Sequence, residues 1–391
     1  MSGSADQKRV TDLLAELVSI ESVNLDMPGA TRGEKPYSDF IAGYGRKLGL
    51  DVSQDEVLPG RPNVLLRMRR SGAARTLLFD IHLDTVPLEG ERANTKAFTE
   101  DGRLYGRGAC DTKASMAAAL LAFERLIEDP PEPTCDIALL GTVDEEYLKR
   151  GVDLAIERGL RADAAVVGEP TGLRPVIAHK GVVRWEIVTR GRAAHTSRPE
   201  NGVNAIYAML RVVEALRNRF ETGGVVPPHP LCGDSTLVVS KISGGVQVNI
   251  VPAECRIEID RRNIPGETPA DFLHAMNEEI EALRRREPWI DVESRKPYLV
   301  EHGVDTDAGL PIVRCVTTAC RELGLPSAPE GVPYGTDAAG LQPVGIPSVI
   351  LGPGSVAQAH SPEEWVEISQ VADCVAVYER VARSYARDAG E

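Results

Sequence analysis

Five places in the chain hold side chains whose types and spacing can do chemistry. In LLFDIHLDTV, read as a strand, Asp80, His82 and Asp84 share one face while Phe79, Ile81 and Leu83 share the other. A central parallel strand is expected to be apolar on both faces, so three polar residues at its carboxyl end need a reason. An exposed strand end is one reason; a metal-binding imidazole whose tautomer is fixed by a neighbouring carboxylate is the other. In GRGACDTKASMAAALLA, Asp111 stands just before an apolar-periodic helix, where it serves either as an N-cap or as a carboxylate shared by two cations. GTVDEEY places Asp144, Glu145 and Glu146 consecutively in a turn. Adjacent side chains diverge, so Glu145 and Glu146 would serve different partners unless the turn is only a solvated acidic surface. VVGEPTG sets Glu169 directly after a short apolar run, as a simple polar turn or a further ligand. SVAQAHSPEEW sets His360 one loop beyond another such run.

All five places fall at or beyond the carboxyl ends of predicted strands, where open α/β sheets build their sites. Together they offer two imidazoles and several carboxylates, a nitrogen and oxygen set without thiolate that suits zinc, cobalt or manganese. The elements that must position them can be read from periodicity. Strands are expected over 63–68, 77–82, 137–142 and 164–167, with helices over 113–128 and 152–158, an order that implies an α/β layer with a largely parallel sheet. The pattern then changes to strand 181–189, helix 203–220, strands 236–243 and 254–260, helix 270–286 and strand 290–294. That β-α-β-β-α-β order is the ferredoxin-like split, an α+β unit of its own. After Pro297 the α/β style returns with helix 310–323, strand 348–351 and helix 368–387. The expectation is a discontinuous catalytic domain, 1–178 and 296–391, with a smaller domain inserted over 179–295.

Composition narrows the partners. The 391 residues carry 44 Lys+Arg against 58 Asp+Glu, a net charge of −14 that argues against nucleic acid and anionic membrane surfaces. A hydrophobic content of 42% supports well-formed cores, and no apolar run reaches the ~18–20 residues that cross a bilayer. The N-terminal stretch lacks the order of a signal peptide and puts Val10, Leu13, Leu14, Leu17 and Val18 at helical spacing, which reads as an amphipathic helix of a cytoplasmic protein. Seven cysteines form no CxxC pair, so they read as buried free thiols.

With these motifs in place, the sequence resembles the di-zinc amidohydrolase and exopeptidase family of acetylornithine deacetylase, succinyl-diaminopimelate desuccinylase, carboxypeptidase G and the aminoacylases. The resemblance runs over nearly the whole chain, in order: HLDTVP, GRGACDTK, DEE, VVGEPTGLRPVIAHKG, HTSRPENGVNAI, an Asn before VPAECRIEIDRR, YGTDA and AHSPEEW. GEPTGLRPVIAHKG with GVNAI most resembles the acetylornithine deacetylase branch. Ala114 and Ser115 depart from the small glycines the family often carries after its Asp-x-Lys.

The resemblance implies a zinc-exopeptidase-like catalytic domain, with the inserted domain as a lid and dimerisation element. It implies two divalent ions per chain, zinc first and cobalt or manganese as alternatives. Asp111 would bridge them, with His82 and Glu169 completing one coordination sphere and Glu146 and His360 the other. Asp84 would orient His82, and Glu145 would be the general acid and base. His195 would stabilise the oxyanion of a partner subunit's site in a homodimer. Asn249 and Arg262 would hold the substrate carboxylate, and Tyr334, Gly335, Thr336 and Asp337 would line the pocket. The implied activity is hydrolysis of the amide of an N-acyl amino acid, N-acetylornithine first, in amino-acid biosynthesis. A dipeptidase, a carboxypeptidase or a succinyl-diaminopimelate desuccinylase is the nearest alternative. A non-catalytic binding protein on the same fold is the reading from another class.

Overall fold

The structure is a computed structural model that describes residues 2–87, 96–132, 135–220 and 225–387, with side chains from Gln7 onward. The chain divides into two compact units. The first comprises Met1–Ile177, Thr306–Glu330 and Thr336–Glu391; the second comprises Ala178–Asp305 and Gly331–Gly335. Residues 178, 296–305 and 331–335, which the sequence reading puts with the catalytic domain, group with the second unit. The termini of the expected catalytic domain, residues 1 and 388–391, lie outside the described residues.

In the first unit the sheet runs, in spatial order, Asp51–Leu58, Arg61–Met68, Asp136–Thr142, Thr76–His82, Ala164–Val167 and Ser348–Ile350. The last four are parallel to one another: Thr76–His82 lies between Asp136–Thr142 and Ala164–Val167, and Ser348–Ile350 adds outside. Their middles are apolar on both faces, as burial from both sides requires, and the exception is Asp80 and His82 at the end of Thr76–His82. The expected 63–68 strand exists but runs antiparallel to both neighbours. Pro59 and Gly60 explain this: Gly60 sits at φ +73°, a turn that folds the chain straight back.

One sheet face carries the main core. Val64, Leu66, Leu77, Phe79, Ile81 and Leu139 meet the helices Ser2–Val18, Lys113–Glu128, Pro311–Glu322 and Ile368–Arg387. Lys113–Glu128 is buried nearly all round, because KASMAAALLAF presents small and apolar side chains in every direction. The Thr76–His82 strand thus has a fixed depth and twist when it delivers His82 to its end.

The second unit is a four-stranded antiparallel sheet, ordered Thr236–Gly244, Glu254–Arg262, Val183–Arg190 and Asp291–Ser294, with Leu299–Val300 also paired to Val183–Arg190. Helices Ala205–Phe220 and Pro269–Arg286 pack on it around Trp185, Phe220, Phe272 and Met276. Chain order and strand order together are those of the ferredoxin-like split. Thr236–Gly244 is an edge strand, with Val238 and Ile242 exposed. Among the described residues no helix is long and apolar enough to cross a membrane.

Candidate metal centre

The parallel strands of the first unit bring six side chains to one place. His82, the last residue of its strand, is 97% buried, with Nε2 3.0 Å from Asp111 Oδ1 and 3.9 Å from Glu169 Oε1. The other Asp111 oxygen, Oδ2, lies 3.4 Å from His360 Nε2. That imidazole is also 3.0 and 3.1 Å from the two oxygens of Glu146. Asp111 therefore stands between two histidines with one oxygen toward each. Ligand atoms of His82, Asp111 and Glu146 fall within 4.8 Å of one another, and so do those of His82, Glu145 and Glu169. Glu145 Oε1 is 3.1 Å from Lys149 Nζ, which turns that carboxylate toward a cation on its own turn.

Each of these groups is held by its backbone. His82 Nδ1 is 2.9 Å from the Asp84 carbonyl and 3.6 Å from the Asp84 carboxylate, which fixes the ring plane. The Asp84 carboxylate spends its strongest contacts elsewhere: it accepts the N–H groups of Glu145 (3.0 Å) and Glu146 (3.1 Å) and the Asn24 amide (2.7 Å). One aspartate thus registers both the histidine strand and the acidic turn. Asp144 adopts φ +72°, a left-handed conformation that a non-glycine residue keeps only when its surroundings impose it. They do: Asn24, Arg61 and Arg150 all donate to its carboxylate, and Arg61 is in turn clamped by buried Glu34. His360 is likewise left-handed, at φ +59°.

Glu364 does the same for Asp111. Its buried carboxylate accepts from the N–H groups of Gly108, Cys110 and Asp111 at 2.9–3.0 Å and from Arg107 Nη1 at 2.7 Å. Glu169 follows Gly168, where an added Cβ would lie 2.8 Å from Ile81 and 2.9 Å from Ser115 Cβ. Ser115, one of the two departures from the family's glycines, therefore fills the space beside the Glu169 backbone.

The electrostatics are those of carboxylates crowded together out of water. Burial pushes the Glu146 carboxyl up to about 8, and the Asp111 charge adds to it. Burial likewise raises Glu169 well above the carboxylate range. Asp111 is the exception: burial opposes its charge, but hydrogen bonds from His360 and His82 hold it below the usual range. Hydrogen bonds to Asp111 and Glu146 raise His360 to about 11. His82 rises well above its ordinary value, since its bonds to Asp111 and Asp84 outweigh its burial. Protons here hold together a buried anionic cluster, a task a divalent ion does better. The donor set, two imidazoles and four carboxylates with no thiolate, fits a pair of such ions.

The remaining residues singled out in the sequence are divided between the units. Thr336 is buried in the first unit; beside it Asp337 accepts from Thr142 Oγ1 at 2.8 Å and is raised well above its usual range by burial and by Asp80. His195, Asn249, Arg262, Tyr334 and Gly335 lie in the second unit. There His195 and Asn249 come together: Thr196 N–H donates to the Asn249 carbonyl (3.1 Å), and His195 bridges to Ile250. His195 is exposed, with Nδ1 2.8 Å from Ser197 Oγ. Arg262 Nε donates to Asp260 at 2.8 Å. Sequence reasoning missed Asn24, Arg61, Lys149 and Glu364. Only Glu364, an acid inside the AHSPEEW motif, left a signal; the others are ordinary polar residues until the fold closes around them.

Residues 78–384 match peptidase family M20/M25/M40. Over 399 aligned residues the chain is 31% identical to the acetylornithine deacetylase of Myxococcus xanthus, covering 98% of this chain and 99% of that one. A tripeptidase from Staphylococcus aureus has the same fold, with a TM-score of 0.82 at 24% identity over 97% of this chain and 99% of that one. So does a dinuclear metal-binding peptidase from Bacillus subtilis, with a TM-score of 0.74 at 16% identity over 97% and 98%.

Proposed function

The chain belongs to peptidase family M20/M25/M40 and is a metal-dependent hydrolase, and from that premise we propose that it deacylates N-acyl amino acids, with N-acetylornithine as its first substrate. The observation that carries this reading is the 31% identity to an acetylornithine deacetylase over almost the entire length of both chains.

In this reading two divalent ions, zinc first, would be held by Asp111 in common, one with His82 and Glu169 and the other with Glu146 and His360. Bound there, the ions supply a water acidic enough to attack an amide near neutral pH. Glu145 accepts the proton of the attacking water and returns it to the departing amine. Lys149 keeps that carboxylate pointed, and Asp84, bonded to the N–H groups of Glu145 and Glu146, keeps acid and ligand in register. His195 donates to the oxyanion. We assign it to the neighbouring subunit's site, which makes the working form a homodimer. Arg262 and Asn249 hold the free α-carboxylate of the substrate, where a guanidinium offers a two-pronged grip. Tyr334, Gly335, Thr336 and Asp337 line the same pocket. The protein works in the cytoplasm, in amino-acid biosynthesis.

The test is a substrate panel on the zinc-reconstituted full chain: N-acetylornithine, other N-acetyl and N-succinyl amino acids including succinyl-diaminopimelate, and dipeptides. Release of ornithine with the highest kcat/KM of the panel is the expected result. A dipeptide or succinylated substrate turned over faster than every N-acetyl amino acid would reassign the substrate while leaving the hydrolase.

A further inference from the structure

The sheet face of the first unit turned away from the main core holds a cavity of about 260 Å³. Its floor is apolar: Leu65, Ala138 and Leu140 rise from adjacent strands, and Ala155 and Leu160 close it from the helix Arg150–Glu157 and the turn beyond. Its rim is basic. Arg67, Arg69, Arg158 and Arg161 surround the opening, against Asp55 and Asp136. Four guanidinium groups facing two carboxylates is an inversion in a protein whose net charge is −14.

The two carboxylates leave the rim net positive. Asp136 already accepts the Arg70 N–H at 2.7 Å, and Asp55 is 3.6 Å from Arg158. Asp51, outside the lining, pairs with Arg69 at 3.3 Å and reaches Arg67 only at 3.9 Å; Arg67 also donates one nitrogen to Ser53 Oγ, and Arg161 donates one to the Leu160 carbonyl, with no ion pair for Arg161 among the described residues. A guanidinium carries five N–H donors, so these two retain donors to give. Apolar floor and cationic rim together suit a ligand with an apolar body and an oxyanion head, which arginine grips in two-pronged fashion. At 260 Å³ the cavity is slightly below the roughly 300–1,000 Å³ of drug-sized sites, room for a single ring or short chain.

The cavity also touches the acidic turn from behind. Asn63 lines it, while Asn63 Oδ1 accepts the Val143 N–H (3.0 Å) and Asn63 Nδ2 donates to the Gly151 carbonyl (2.8 Å). Those two bonds pin both ends of the segment that carries Glu145 and Glu146.

We propose that this cavity is an effector site for a small amphipathic oxyanion, a carboxylate or phosphate on an apolar body, whose binding braces the Val143–Gly151 segment. The probes are benzoate and phenyl phosphate, titrated calorimetrically into the zinc-loaded protein, with inorganic phosphate as the head without the body. One saturable site per chain is expected for at least one aryl probe; which of the two binds identifies the head group. Binding should weaken about tenfold or more in Arg67→Gln/Arg161→Gln, two surface changes, and persist in His82→Ala. Hydrogen exchange of residues 143–151 should slow at saturation. The proposal fails if neither probe binds, if binding is lost in His82→Ala but not in the arginine pair, or if inorganic phosphate binds as tightly as phenyl phosphate. Unchanged exchange at saturation overturns the link to the acidic turn.

Discussion

At the residue scale, the neighbours Glu145 and Glu146 have opposite proposed tasks, and the two can be separated experimentally. Glu145→Gln preserves shape and the contact with Lys149 but removes the base, so turnover should fall roughly 10²–10⁴-fold while bound zinc per chain stays unchanged. Loss of zinc together with activity would make Glu145 a ligand instead. The protons of the cluster give a second prediction. Glu146, up at about 8, and His360, up at about 11, both hold protons at pH 6 that a metal must displace. Their folded values lie above the unfolded ones, so the metal-free fold loses stability as pH rises through that window, and metal binding gains by the same linkage. The apparent zinc affinity should therefore rise about ten- to a hundredfold per pH unit between pH 6 and 8, with proton release visible by calorimetry in buffers of different ionisation heat. A pH-independent affinity would remove these two groups from the coordination. The ligand candidates themselves were legible because imidazoles and carboxylates at strand ends are unusual chemistry in a buried place. Asn24 and Arg61 were not, because a hydrogen bond across 60 or 83 residues leaves no local trace.

At the element scale, the strands and helices that carry the site were readable from apolar periodicity, and the helix Lys113–Glu128 and the strand Ala164–Val167 fall on their expected bounds. What escaped was polar or short. Asp51–Leu58 is half exposed along its length, so its residues are chosen by solvent as much as by the sheet. The helix Lys35–Lys47 contains Gly43 and Gly45, poor helix formers, and Leu66 leaves no room for a Cβ at Gly45. These elements matter because they carry the brace behind the acidic turn. Arg61 opens one strand, Glu34 stands at the start of the missed helix, and buried Arg61 pairs with both Glu34 and Asp144. Arg61→Leu would leave the buried Glu34 carboxylate without its cation and Asp144 with Arg150 only, so it should cost about 3–5 kcal/mol in urea denaturation. A cost below 1 kcal/mol would show that the turn is held by Asn24 and Arg150 alone.

At the scale of the whole molecule, the ferredoxin-like unit leaves an apolar surface exposed: Tyr207, Leu210, Val246 and Val248, beside the open edge of Thr236–Gly244. Unpaired edges of this kind are normally covered, which agrees with the homodimer proposed above. Mixing inactive Glu145→Gln chains with inactive His195→Ala chains should restore about a quarter of wild-type activity, since half of freely exchanging dimers are mixed and each has one intact site of two. Exchange of subunits without recovery would confine His195 to its own chain. The discontinuity of the first unit has a consequence for how the protein is made. His82, Asp111, Glu146 and Glu169 emerge from the ribosome early, but His360, and Glu364 that braces Asp111, follow 191 residues after Glu169. At about 5–20 residues per second that is a delay of about 10–40 s, during which the second unit is synthesised. With the ligands proposed above, a nascent chain therefore carries an acidic, half-built cluster for tens of seconds before His360 can join it, which would make metal loading an event of the finished polypeptide.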